Sequence, residues 1–104
     1  MKTKEHRPLT EAMFYTLMAV QKQDICGTEI AEYVSTVTEG RVRLGPGTLY
    51  TILAKFLEDR LIAETVVLGR KRTYTVTEAG TAAYQTELQR LRQCILDAEK
   101  EEKT

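Results

Sequence analysis

Three consecutive cations, Arg70-Lys71-Arg72, stand between a β-branched run, Ile62 to Leu68, and the alternating stretch Thr73-Tyr74-Thr75-Val76. Two such runs joined by a short segment containing Gly69 read as a hairpin. The cations then sit at its tip, where at least one is expected to meet a phosphate. The competing reading of the same residues is solubility and protection of a sheet edge. A second set is Thr48, Thr51 and Lys55, spaced to share one helix face. Threonines there can bond phosphate or touch a thymine methyl, and Lys55 can meet phosphate or guanine; otherwise this is an ordinary solvated face. Tyr50, at the boundary of that face, has two readings: a hydroxyl that reaches a phosphate, or a ring that closes the packing of helix on hairpin. Arg41 and Arg43 alternate with Val42 and Leu44 in what reads as an extended connector or short strand, so both arginines point to one side as further phosphate contacts.

All of this is anion recognition. No Ser/His/Asp set, paired carboxylates or Gly-rich phosphate loop is visible, so catalysis and a cofactor are not expected. Cys26 and Cys94 lie far apart, with no CxxC or Cys/His spacing. Neither a disulfide framework nor a zinc site is expected. The cysteines read as small apolar fillers, with oxidant sensing as the alternative. His6, in the charged opening segment, reads as inert.

The net charge of zero hides an uneven distribution. Residues 1–40 carry four Lys/Arg against six acids, residues 41–72 seven against three, and residues 73–104 four against six. A basic middle of +4 between flanks of −2 implies one anion-binding face. At 104 residues with 42% apolar and 29% charged, the chain is one domain with one modest core. No apolar run approaches the roughly 20 residues of a membrane helix, and the charged start leads into no signal-type core. A soluble cytoplasmic protein with no membrane partner is the expectation.

The elements that must position these residues follow from periodicity. Leu9, Met13, Leu17 and Val20, widened by Phe14 and Met18, mark a first helix from Thr10 to about Lys22, with Thr10 as its cap. Ile30, Val34 and Val37 mark a second, from about Gly27 to Thr38, with Asp24 able to cap it and Gly40 to stop it. Gly45-Pro46-Gly47 opens a third, proline suiting the first helical position. Its apolar face is Leu49, Ile52, Leu53, Phe56 and Leu57, and it ends near Asp59-Arg60. The hairpin follows, with Tyr74 and Val76 facing the core. Thr77-Glu78 starts a last helix to about Lys100, whose residues Tyr84, Leu88, Leu91, Ile95 and Ala98 step by 4, 3, 4, 3, a coiled-coil-like seam.

Three helices closed by a two-stranded hairpin make a winged helix-turn-helix. The fold class is mainly α with a small β-hairpin, plus a long C-terminal dimerisation helix. Residues 1–8 are a flexible N-terminus, 9–76 the DNA-binding domain, and 77–104 the dimerisation helix with a frayed tail. The third helix fits a major groove and the hairpin tip reaches beside it. The last helix, about 35 Å long, exceeds what its own domain can cover. A second copy is its expected cover, and a two-fold dimer presents two recognition helices to a palindromic site.

Gly45-Pro46-Gly47-Thr48-Leu49-Tyr50-Thr51-Ile52-Leu53 resembles the PadR family's signature at the recognition helix. Phe56-Leu57-Glu58-Asp59-Arg60-Leu61-Ile62 resembles the segment that follows, with Arg60 where the family has glycine. Arg70 to Gly80 resembles its wing and the start of its last helix, and Cys26-Gly27-Thr28-Glu29-Ile30 its Gly-Tyr-Glu-Ile, with Thr28 for the tyrosine. The resemblance spans about residues 9–98 and is to the small subfamily with a single C-terminal helix. It implies a dimeric transcriptional repressor of double-stranded DNA targets that responds to phenolic or multidrug-like molecules. Some small members hold flat aromatic drugs between subunits with the help of tryptophan. This chain has none, and Leu91, at the corresponding position, cannot stack as an indole does.

Met13, Phe14, Leu17 and Met18, with Leu88, Leu91 and Ile95, form either the lining of a cavity for a small aromatic or hydrophobic effector or plain dimer core. Two other functions are consistent with the sequence: a winged-helix protein-interaction module without specific DNA binding, and a hydrophobic drug-binding protein.

Overall fold

The computed structural model describes residues 8–66 and 72–103. Its order is α1 (Glu11–Lys22), β1 (Ile25–Cys26), α2 (Gly27–Val37), α3 (Pro46–Glu58), β2 (Ile62–Val66), β3 (Arg72–Val76) and α4 (Glu78–Glu102). The fold is mainly helical with a small antiparallel sheet. The Arg70–Lys71 tip of the expected hairpin lies outside the described residues, as does most of the opening segment.

The helices start where the sequence supplies caps. The Thr10 hydroxyl accepts the Met13 N–H at 3.1 Å, and the Thr77 hydroxyl accepts the Gly80 N–H at 3.0 Å. Cys26, not Asp24, is the N-cap of α2. The Glu29 carboxylate reaches back to accept the Cys26 N–H at 3.1 Å, which leaves Asp24 outside the helix start. Pro46 takes the first position of α3, where it forfeits no hydrogen bond. Glu39 (φ 53°) and Gly40 (φ 80°) turn the chain out of α2 in left-handed conformations.

The first three helices close over one core, in which Phe56, Leu17, Ile30 and Val34 are fully buried. The sheet has one more strand than the hairpin requires. Strand β1 pairs with β3 (Ile25 opposite Tyr74), giving the order β1-β3-β2. In β2–β3, Ile62 faces Val76 and Glu64 faces Tyr74. Tyr74 is therefore on the central strand and buried, as its alternation predicts.

The connector Arg41–Leu44 is not a strand. It is a bend held by buried Thr38, whose hydroxyl donates to the Val34 carbonyl at 2.7 Å and accepts the Val42 N–H at 3.1 Å. The alternation there reflects which residues touch the core: Val42 and Leu44 pack on it while Arg41 and Arg43 are exposed.

The joint between α3 and α4 is closely fitted. The Thr77 hydroxyl lies 2.8 and 2.9 Å from the Arg60 and Leu61 carbonyls, to which it donates. Gly80 passes so near the Leu61 carbonyl that a Cβ would collide with it. Beyond the joint, α4 runs off the domain. The Cα radius of gyration is 15.3 Å and the longest extent 59 Å, against a radius of about 13 Å for a compact chain of this size.

Candidate nucleic-acid interface

Helix α3 buries Leu49, Ile52, Leu53 and Phe56. The opposite face is fixed by that burial: Thr48, Thr51 and Lys55 are exposed together on it. The Thr51 hydroxyl donates to the Gly47 carbonyl at 2.8 Å, which commits its proton to the helix backbone. Lys55 is paired one turn on with Asp59 at 3.6 Å, both partners partly exposed. Such a pair is weak, so the ammonium remains available to a phosphate.

Tyr50 is half exposed and lies over the start of α2, its hydroxyl against Gly27. It also lies near enough to Tyr74 to contribute to raising that phenol's pKa. It thus packs against α2 and sits beside the central strand while keeping a free edge.

Arg72 opens β3 and its Nε stands 3.3 Å from a Glu64 carboxylate oxygen, the cation largely exposed. An ion pair this exposed is weak, so the Arg72 guanidinium, like the Lys55 ammonium, can still meet a phosphate. Arg43 bends back, its Nε donating to the Gly40 carbonyl at 3.4 Å. Arg41 is exposed on the bend. The two arginines do not share a strand face, because there is no strand.

Tyr74 has its phenol pKa raised, by burial first and then by the Glu64 charge. Among the described residues no group of three His, Cys, Asp or Glu could hold a metal ion, and no helix is long and apolar enough to cross a membrane.

On α4, the residues expected at a dimer seam divide in two. Tyr84 is half-buried within its own chain, stacked on Phe14 with centroids 5.3 Å apart and planes at 13°. Leu88 and Leu91 are partly covered, and Ile95 and Ala98 are exposed. Leu96, not part of the expected seam, is as exposed as Ile95, at 57%. Glu87 was also not anticipated: it is buried on α4, with Arg90 donating to it at 3.0 and 2.6 Å. Cys26 is buried as expected of a filler, but Cys94 is exposed.

The residues expected around an effector do not form one set. Leu17 is fully buried and belongs to the domain core, so it lines no surface cavity. Met13, one turn before Leu17, is partly buried against the core and also borders a shallow groove where Thr10 and Ala12 meet Gly47, Thr48, Thr51 and Ile52. Phe14 lies against α4 through Tyr84, and Met18 is half-buried.

Three packed helices, a small sheet with a two-stranded wing and an exposed recognition-type helix define a winged helix-turn-helix protein. The model of the family described as "Transcriptional regulator PadR-like family" matches residues 16–86, and the chain belongs to that family. Solved structures of such regulators share its fold. A transcriptional regulator from Clostridium thermocellum matches with a TM-score of 0.78 at 19% identity, over 85% of this chain and 89% of that one. A PadR family transcription regulator from hypervirulent Clostridium difficile matches with a TM-score of 0.74 at 21% identity, over 88% and 97%. Bacillus subtilis PadR, solved in complex with operator DNA, matches with a TM-score of 0.68 at 20% identity, over 79% of this chain and 48% of that one. Comparison with curated proteins finds no match.

Proposed function

We propose that the protein is a DNA-binding repressor that acts as a two-fold dimer on a palindromic operator. The observation that carries this reading is the exposed face of α3. Its opposite face is locked into the core, so Thr48, Thr51 and Lys55 project together from one face. A helix so presented fits the major groove, with threonines at base edges or phosphates and Lys55 on phosphate or guanine. Arg72 supplies the wing's phosphate contacts together with its chain neighbours Arg70 and Lys71, and Arg41 and Arg43 add charge before the start of α3. Tyr50 offers its free edge to the backbone. The operator complex of Bacillus subtilis PadR supports the same use of the shared fold.

Dimerisation runs through α4, where Leu88, Leu91, Ile95 and Ala98 meet a second copy, with Tyr84 fixed behind them by Phe14. A small aromatic or hydrophobic effector enters beside Phe14, Met18 and Leu91, and release follows from its differential affinity for two dimer geometries.

The test is fluorescence anisotropy with duplex DNA from upstream of the gene, against a scrambled duplex, at several salt concentrations. The expected result is tight binding to the native duplex alone, weakening steeply as salt rises. Equal, weak binding to both duplexes, and to tiled fragments of the surrounding region, would reject sequence-specific repression.

A further inference from the structure

Five glycines lie among the described residues, and three of them have a structural reason to be glycine. Gly40 has a left-handed backbone, Gly80 passes the Leu61 carbonyl, and Gly27 lies beneath Tyr50. Gly45 and Gly47 have neither reason. Their φ angles are not positive, and a Cβ built on either meets nothing within 4 Å. Gly47 is the sharper case, because it lies within α3, where alanine is the better helix former. Nothing among the described residues excludes a methyl there.

The neighbouring surface of α3 carries short side chains. Thr51, one turn on, turns its hydroxyl inward onto the Gly47 carbonyl. Gly47 and Thr51 also share a wall of the shallow groove that Met13 borders from α1. The result is a strip in which the exposed main chain at Gly47 is flanked only by the short side chains of Thr48 and Thr51. Such a strip suits a partner whose surface comes into contact with the backbone itself, a use to which glycine is put elsewhere.

We infer that Gly47 is a clearance residue: it lets the sugar-phosphate edge of double-stranded DNA seat directly on the start of α3 and in the groove beside Met13. This rests on the reading of α3 as the DNA-contacting helix and adds to it a residue with no functional group. DNA fits better here than a second copy of the chain, because the strip is continuous with the Thr48–Thr51–Lys55 face, whereas the exposed apolar residues of α4 lie on another element.

The test compares the full chain with Gly47→Ala and Gly47→Val, using the upstream duplex, thermal melting and sedimentation. Gly47→Ala is expected to melt at the same temperature or higher, to keep its oligomeric mass and to bind the duplex at least tenfold more weakly, with Gly47→Val weaker still. Unchanged affinity in both variants, beside a wild-type chain that binds, would overturn the clearance role. So would loss of binding accompanied by a lower melting temperature or a smaller mass. A wild-type chain that binds no duplex would instead remove the underlying reading, which separates the two failures.

Discussion

The Tyr50 hydroxyl sits over the backbone of Gly27, where a Cβ would stand 2.5 Å from it. This contact joins the first residue of α2 to the recognition-type helix and sets where the exposed edge of the ring points. Gly27→Val should drive the ring outward, which is feasible because Tyr50 is half exposed. The stability loss should be about 1–2 kcal/mol, and the affinity for DNA should fall by more than that. In a Tyr50→Ala background the same substitution should have little further effect. A double-mutant cycle read by melting and by anisotropy checks the coupling.

Arg60 has φ 61° just beyond the C-terminus of α3, with its N–H bonded to the Leu57 carbonyl and that of Leu61 to the Phe56 carbonyl. This is the position at which helices end most readily in glycine. A left-handed arginine is strained by roughly 1–2 kcal/mol, part of which glycine would return as entropy of the unfolded chain. Arg60→Gly should therefore raise stability by about 0.5–1 kcal/mol, or roughly 3–6 °C in melting temperature. Calorimetry at matched protein concentration measures this.

Burial and the Glu64 charge raise the Tyr74 phenol above its usual value of 10.0. The folded state therefore favours the neutral phenol. Its contribution to stability is complete below pH 10 and declines as pH rises through the folded-state value, because the unfolded chain ionises first. Tyr84, raised by burial foremost, acts in the same direction. Denaturant titrations should show stability falling above pH 10, and Tyr74→Phe should make that fall shallower.

Ile95 is 57% exposed on a helix that extends past its domain. In a dimer built on α4 it is covered twice, once from each subunit. Ile95→Asp should weaken self-association on the order of a hundredfold, from lost apolar burial and a desolvated charge. Analytical ultracentrifugation across a concentration series would show it, with helical content retained by circular dichroism.

Most of what positions the interface was readable because it is local and periodic. The α3 face follows from Leu49, Ile52, Leu53 and Phe56, and the α1 and α4 starts from Thr10 and Thr77. What was not readable depends on distant partners. Ile25–Cys26 is too short to show a period, and it is a strand only because Tyr74 and Thr73 lie beside it. Arg41–Leu44 has a strand's alternation, but Thr38 and the left-handed pair Glu39–Gly40 turn it into a bend. Leu17 belongs to the same apolar stripe as Met13 and Phe14, and one-dimensional spacing cannot say which of the three faces the core, the groove or α4. Glu87 is charged, and its burial becomes visible only with Arg90 folded onto it.

The fit of Thr77 and Gly80 against Arg60 and Leu61 makes a stiff elbow between α3 and α4. With no slack there, α4 acts as a lever whose fulcrum is the end of α3. Its 25 residues give an arm of about 37 Å, so rotation by about 5° displaces the far end by about 3 Å. Read backwards, in the proposed dimer a 3 Å slip between two tails would arrive at the fulcrum as a small rotation, delivered at the foot of α3. In the proposed dimer the tail would then be a handle on the orientation of α3.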